Sequence, residues 1–340
     1  MQVQIRENYS LKGYNTFGIE AAARYFAAFH NTDELTDLLR GPRLDEGLPV
    51  LVIGGGSNLL LTKDFNGIVL KNEIGEIRVS GEDAHHTFIT AGGGVNWHEL
   101  VRYCVDHGYG GLENLSLIPG SVGAAPMQNI GAYGVEIKDI FHNLEAYRIE
   151  DGSIEDFGLE DCQFGYRESV FKLALKGKYI ITEVTFRLPK SPRFNTSYGA
   201  IQTELQKMGV STLSIAAISQ AVINIRTSKL PDWKRLGNAG SFFKNPQVSK
   251  DFYLRLKEAY PEVVGFEQEH SVKLAAGWLI EQCGWKGARK GDAGCYEKQA
   301  LVLVNYGNAT GAEIFDLSEE ILSSVYEKFG VRLEREVNIY

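Results

Sequence analysis

Two strand-length apolar runs early in the chain each end in three consecutive glycines, and neither continues with dinucleotide-fold spacing. Pro49-Val-Leu-Val-Ile53 stops at Gly54, Gly55 and Gly56, and Phe88-Ile-Thr-Ala91 leads into Gly92, Gly93 and Gly94. Glycines at a strand end permit positive φ and close approach to the backbone. After the first run, Ser57 and Asn58 add side-chain donors ahead of Leu59. Successive backbone N–H groups in such a turn can form an anion nest, with phosphate the natural guest. A plain tight turn with Asn as a turn residue competes with that reading. The chain has no G-x-G-x-x-G and no G-x-x-x-x-G-K-[ST], which disfavours a Rossmann site and a P-loop. It also lacks the G-x-S-x-G elbow of a serine hydrolase. A phosphate-bearing ligand therefore calls for another fold.

At 340 residues the chain exceeds one ordinary core, and roughly 100–200 residues per domain implies two or three. With 44% apolar and 23% charged residues, sizeable cores can form. Asn31-Thr-Asp-Glu34 has capping-box spacing ahead of Leu35, Leu38 and Leu39. Asn96 is placed to cap a helix carrying Trp97, Leu100, Val101 and Cys104. Tyr179–Leu188 alternates as a strand. Beyond about residue 190 the pattern changes. Ile215, Ile218, Val222 and Ile225 form a helical stripe, Val272–Cys283 reads as a helix, Ala300–Val304 as a strand, and Ile314–Val325 as a helix stopped by Gly330. This predicts an α+β chain with domains 1–200 and 201–340. The first is expected to divide near residue 70 into two α/β parts, and a last strand is expected near 331–340.

A net charge of −8 argues against a nucleic-acid binder. The opening MQVQIRENYS has no signal-peptide pattern, and no apolar run reaches bilayer length. The four cysteines have no C-x-x-C pair, so reduced thiols in a cytoplasmic protein are expected. His85-His86 in a polar stretch reads as a solvated loop, and no metal is expected.

Four further segments can carry chemistry. Leu117–Gly134 packs Pro119, Gly120, Gly123, Ala124, Gln128, Gly131 and Tyr133 into one small-residue loop, long for a purely structural turn. Arg167 lies in Phe164-Gly-Tyr-Arg-Glu-Ser169, where a guanidinium can clamp a carboxylate or phosphate or simply pair with Glu168 or Asp161. Ser241 follows Gly240 and precedes two aromatics, with Lys244 and Asn245 nearby; proton transfer and a local turn bond are both open. Glu334 and Glu336 would share one face of a strand.

Asn15-Thr-Phe-Gly18, Gly55-Gly-Ser-Asn58, Ile118-Pro-Gly120 with Gln128–Gly134, Phe164–Ser169, Gly237–Pro246 and Leu274–Ile280 stand in one order over about residues 11–338. Together they resemble the UDP-N-acetylenolpyruvoylglucosamine reductases, and Tyr198 in Ser197-Tyr-Gly199 resembles the tyrosine of the type I subgroup. The resemblance implies an FAD-binding domain of the vanillyl-alcohol-oxidase type followed by a smaller α+β substrate-binding domain whose last strand contributes to the active site. It implies non-covalent FAD, with NADPH as co-substrate visiting the same pocket. NADPH reduces the flavin and leaves; UDP-N-acetylglucosamine enolpyruvate then takes the hydride at its methylene carbon and a proton at the neighbouring carbon. Arg167, Ser241 and Glu336 match the catalytic positions. Gly54, Gly55, Gly56, Ser57, Asn58, Leu59, Pro119, Gly120, Gly123, Ala124, Gln128 and Gly131 match cofactor-binding positions. Tyr133, Tyr198, Lys229, Gly240, Asn245 and Gln282 match substrate-binding positions. Alanines at 124 and 125 stand where relatives often carry serine, so backbone donors are expected to serve there. A monomer without nucleic-acid or membrane partners is expected. An oxidase of the same flavin fold and a non-catalytic binding module are the rival readings, and the motifs from Arg226 to Ile280 favour the reductase over both.

Overall fold

A computed structural model describes residues 3–41 and 47–340. The chain forms two compact units. One comprises the N-terminal segment to Tyr9, Ala23–Gly55 and Asn66–Ser228; the other comprises Ser10–Ala22, Gly56–Phe65 and Lys229–Tyr340.

The first unit holds two larger sheets and a two-stranded one, Gly131–Ala132 with Val135–Glu136. The first sheet is ordered Arg6–Ser10, Ala22–Phe29, Phe65–Asn72, Val50–Ile53, with Val50–Ile53 running parallel to its neighbour. Helix Thr32–Leu39 buries Leu35 and Leu38 against it. Its cap works partly as the sequence predicts: Asn31 accepts the Glu34 N–H, while the Glu34 carboxylate reaches one residue further back, to the His30 N–H. The second sheet is antiparallel, ordered Ile154–Gly158, Phe141–Arg148, Tyr179–Pro189, His86–Gly92, Ile77–Glu82. Tyr179–Pro189 is central, and its alternating burial follows from having one face on the core. Helix Trp97–Asp106 covers this sheet with Trp97, Leu100, Val101 and Cys104, and Asn96 caps it by accepting from His98 and Glu99.

Beyond Asn66 the first unit runs to Ser228, and the second takes up Lys229–Tyr340. Helices Gly199–Lys207 and Ile215–Lys229 bury Ile201, Leu205, Ile218, Val222 and Ile225 on each other and on Tyr133 and Phe194. At roughly 1.5–3 kcal/mol per buried Leu, Ile or Val, this packing ties the pair to the first unit.

The second unit is discontinuous because two early segments lie in its core. Phe17, Ile19 and Leu60 are buried with Phe242, Phe243, Leu279, Ile314 and Phe329. A Cβ on Gly237 would meet the Phe17 carbonyl at 2.2 Å, and one on Gly311 the Leu61 carbonyl at 1.8 Å. Strand Leu59–Leu60 pairs in parallel with Asn338–Ile339. A four-stranded sheet is ordered Gly237–Ser241, Val302–Asn305, Ala293–Cys295, Arg289–Lys290. Helix Gly311–Phe329 carries a full Thr310/Glu313 capping box and ends at Gly330, φ 66°.

Two expectations change here. Val272–Leu274 is a strand between Gln247–Val248 and Gly265–Glu267, and the helix starts only at Ala276; apolar residues at 272 and 274 fit a strand face as well as a helix face. The segment 331–340 is strand only at Asn338–Ile339, with one bridge from Arg335 to Phe243.

Candidate functional site

The two glycine triplets differ in what their amides do. In the second, the N–H groups of Gly92, Gly93 and Gly94 donate to Glu76, Thr182 and Ile74. That triplet is a packing device, because a Cβ on any of the three would lie 2.4–2.6 Å from backbone oxygen or carbon. In the first, the N–H groups of Gly55, Gly56 and Ser57 donate to no acceptor among the described residues. Close packing still demands glycine there: a Cβ on Gly55 would sit 2.9 Å from the Gly120 Cα, and one on Gly56 1.9 Å from the Tyr14 carbonyl. Gly56 has φ 63°. Three successive free donors around a left-handed glycine make an anion nest, the arrangement a diphosphate requires.

In loop 117–134, Pro119 is exposed, Gly120 has φ 120°, and the Gly120 carbonyl accepts from Trp97. The Gly123 amide is taken by Gly93 and the Ala124 amide by Ser121. The backbone donors expected at these positions are therefore engaged within the fold. Gln128 closes the turn Pro126–Gln128. Buried Asn129 ties the loop together: its Nδ2 donates to Gly165 and Glu136, and its Oδ1 accepts from Lys138.

Arg167 is drawn onto this loop, its Nη2 donating to the Gly131 carbonyl at 2.6 Å. Tyr198 packs edge-on against Tyr133, centroids 5.3 Å apart. Leu117, Asn129, Tyr133 and Arg167 are four of the six non-glycine residues with positive φ among the described residues. Such backbone persists only where its surroundings over-determine it, and it gathers at functional sites. Arg226 joins the same cluster, donating through Nε to the Leu117 carbonyl at 3.2 Å. Burial, then the phenol of Tyr133 and the like charge of Arg167, act on its guanidinium, with the net effect of lowering its pKa. Burial raises the pKa of Tyr133.

Sequence reasoning assigns no role to Arg226 or Asn129. Arg226 follows Ile225 directly, on the border of the apolar stripe, and opens the run Arg226-Thr-Ser-Lys-Leu-Pro231, the two signals that point to it. Lys229 ends the same helix, exposed, one turn beyond.

In the second unit, Ser241 is half-buried and pairs with Val302. Gly240 has φ 70° and open space where a side chain would stand. The next residues pair with the chain end: Glu336 N–H donates to Phe242 at 2.8 Å and Lys244 N–H to Glu334 at 2.8 Å. Asn58 Nδ2 donates to the Glu336 carbonyl at 3.3 Å. Ser241, Glu336 and Asn58 thus belong to one neighbourhood. Leu59 is buried and contributes its backbone to the pairing with Asn338. Asn245 Oδ1 accepts the Ala276 N–H at 3.0 Å, at the start of helix Ala276–Gln282. Gln282 lies at the far end of that helix, exposed, about 9 Å along the axis, and is not gathered with Asn245. Glu334 is exposed beside Lys244.

Burial pushes the thiols of Cys104, Cys162 and Cys295 up to about 12, which removes them as thiolate nucleophiles. Asp83 accepts the N–H groups of both His85 and His86 in a surface turn, and no group of three or more metal-ligating side chains occurs among the described residues.

Residues 23–158 match the family described as FAD binding domain. With the donor nest at the strand end, this defines the class: a flavin-dependent oxidoreductase. Residues 232–340 match the family described as UDP-N-acetylenolpyruvoylglucosamine reductase, C-terminal domain. UDP-N-acetylenolpyruvoylglucosamine reductases of Pseudomonas putida and Amoebophilus asiaticus are 51% and 52% identical to the chain, covering 100% and 99% of both partners. The crystal structure of UDP-N-acetylenolpyruvylglucosamine reductase from Thermus caldophilus aligns over 100% of this chain and 99% of its own with a TM-score of 0.69, at 25% identity. The chain belongs to the UDP-N-acetylenolpyruvoylglucosamine reductase family.

Proposed function

We infer that the protein reduces UDP-N-acetylglucosamine enolpyruvate to UDP-N-acetylmuramate with NADPH, as an FAD-dependent step of peptidoglycan precursor synthesis. One observation carries this reading: full-length identity of about half to reductases of that name, including the stretch with Ser241 and Glu336. The flavin fits the residues present, because the amides of Gly55, Gly56 and Ser57 are free to hold a diphosphate. Gly54, Asn58, Leu59, Pro119, Gly120, Gln128 and Gly131 would complete its surroundings, with Gly123 and Ala124 offering surface rather than amides. When bound, FAD supplies the hydride chemistry that no side chain can perform.

The chain's own residues have the remaining tasks. Arg167, oriented by its bond to Gly131, holds the substrate carboxylate as negative charge spreads onto it. Ser241 gives the proton to the carbon next to the one that takes the hydride. A serine is a weak acid, but the acceptor is a strong carbon base, so placement decides. Glu336 stands by that carboxylate and stays neutral or shares a proton, since a second full negative charge would oppose the reaction. Lys229, Tyr133, Tyr198, Asn245 and Gly240 hold the nucleotide diphosphate and the reacting end; Gln282 is kept in this set on family resemblance alone. The domain roles are flavin binding for residues 1–200 and sugar-nucleotide binding for residues 201–340, with the last strand near 331–340 serving catalysis. Four free thiols fit a reducing cytoplasm, and the net charge of −8 fits a monomer without nucleic-acid partners; gel filtration checks the oligomeric state.

The decisive experiment is an anaerobic visible spectrum of the purified protein, taken before NADPH, after it, and after the enolpyruvyl sugar nucleotide. Flavin absorbance that bleaches and then returns is the expected result. A protein that takes up no FAD, or whose bleached flavin the sugar nucleotide leaves unchanged, overturns the reading.

A further inference from the structure

Arg226 is a cation in a protein interior without an anion to match it. No carboxylate of the described residues lies within ion-pair distance; its hydrogen-bond partner is the Leu117 carbonyl, and the Tyr133 phenol acts on its charge. The nearest other charge acting on it is Arg167, of the same sign. Protein packs densely around the guanidinium while part of the residue remains solvent-exposed, as at the floor of a recess. Holding a poorly solvated cation beside a like charge is unfavourable unless an anion arrives. The surrounding backbone is strained at Leu117, Tyr133 and Arg167, so the arrangement is built rather than incidental. Helix packing fixes it further: Ser219, two turns back on the Arg226 helix, bonds Ser116 at 2.8 Å, next to Leu117.

We propose that Arg226 is an anion-binding residue of the reaction, holding together with Arg167 the negative charge that hydride transfer creates. The proposal rests on the reductase reading above. A hydride carries two electrons and one proton, so each acceptor gains one negative charge until a further proton reaches it. The matching chemistry is a planar, resonance-spread anion with two heteroatoms, which a guanidinium fork fits and an ammonium does not. Two sources supply it: the pyrimidine end of the flavin ring and the carboxylate of the sugar nucleotide.

The test uses Arg226→Gln and Arg226→Lys holoenzymes, with circular dichroism and FAD content confirming the fold. One arm measures the flavin midpoint potential and sulfite affinity. The other measures dissociation constants of UDP-N-acetylmuramate and of UDP-N-acetylglucosamine, which lacks the carboxylate, from flavin spectral changes. For Arg226→Gln a lowered potential with about tenfold weaker sulfite binding assigns the flavin. About tenfold weaker binding of UDP-N-acetylmuramate alone assigns the carboxylate. Arg226→Lys is expected to show a smaller loss in the same arm, and it decides the matter if the Gln variant does not fold. Variants within about twofold of the unmodified protein in both arms overturn the proposal. Because the potential and sulfite measurements need no turnover, failure of the reductase reading would appear separately, as flavin that NADPH does not bleach.

Discussion

The amide of Glu336 donates to the carbonyl of Phe242 at 2.8 Å, which seats the chain end beside the residue that follows Ser241. On its other side the Glu336 carbonyl is held by Asn58 at 3.3 Å. The backbone of Glu336 is therefore fixed by hydrogen bonds at both its N–H and its carbonyl. Replacing Ser241 should leave this framework intact. Ser241→Ala is expected to bind FAD and to be reduced by NADPH at the normal rate, while reoxidation by the enolpyruvyl sugar nucleotide slows about 10²–10⁴-fold. Rapid-mixing spectra read both half-reactions, and normal reoxidation would remove Ser241 from the mechanism.

Gly56 combines a left-handed backbone with a contact that leaves no room for a side chain, 1.9 Å from the Tyr14 carbonyl to a built Cβ. Backbone cannot yield as a side chain tip can. Gly56→Ala should destabilise the protein by about 3 kcal/mol or more, summing the left-handed penalty and overpacking. Gly54→Ala meets the side chain of Ser121 first, whose hydroxyl can turn away, and should be milder. Denaturant unfolding of the two variants side by side checks the order, and equal losses would refute it.

His98 accepts the Leu117 N–H through Nδ1 at 3.0 Å, so the fold holds the neutral ring. Burial, then Arg102 and Arg226, lower its pKa from the ordinary 6.5, and Glu99 opposes them in part. Because the folded-state pKa is depressed, the bond contributes in full above about 6.5, and its contribution fades as pH falls through the lower folded-state value. His98→Asn keeps an acceptor that does not titrate. Between pH 7 and 5.5 the thermal midpoint of the unmodified protein should therefore fall more steeply than that of the variant. Parallel slopes would show that His98 is not the group responsible.

Lys229 is exposed at the end of its helix, suited to a mobile contact with a diphosphate. Lys229→Ala should raise KM for the UDP substrate about tenfold with kcat nearly unchanged, the pattern of lost ground-state binding. Steady-state kinetics measure it, and an unaltered KM would assign this lysine to the surface.

Local chemistry is legible in the amino-acid sequence. Asn31, Asn96 and Gly330 mark helix ends because capping is settled within four residues of chain, and Tyr179–Pro189 announces itself by alternation. The first glycine triplet is readable as a donor nest. That the second is not one depends on which distant carbonyls its amides meet. Val272–Leu274 leads into a stretch of helical periodicity yet folds as a strand, because the strands on both its sides, at 247–248 and 265–267, decide its state.

The sequence alone determined the family, the flavin and the chemical types at Arg167, Ser241 and Glu336, since these reside in motifs whose order is read directly along the chain. Tertiary structure decided which chain segments share a core. Phe17 and Leu60 are buried with residues more than two hundred positions away, and Arg226 meets Leu117 and Tyr133 only through the packing of its helix. The physical reason is that burial and hydrogen bonding act on distance in space, whereas periodicity and capping report only on neighbours along the chain.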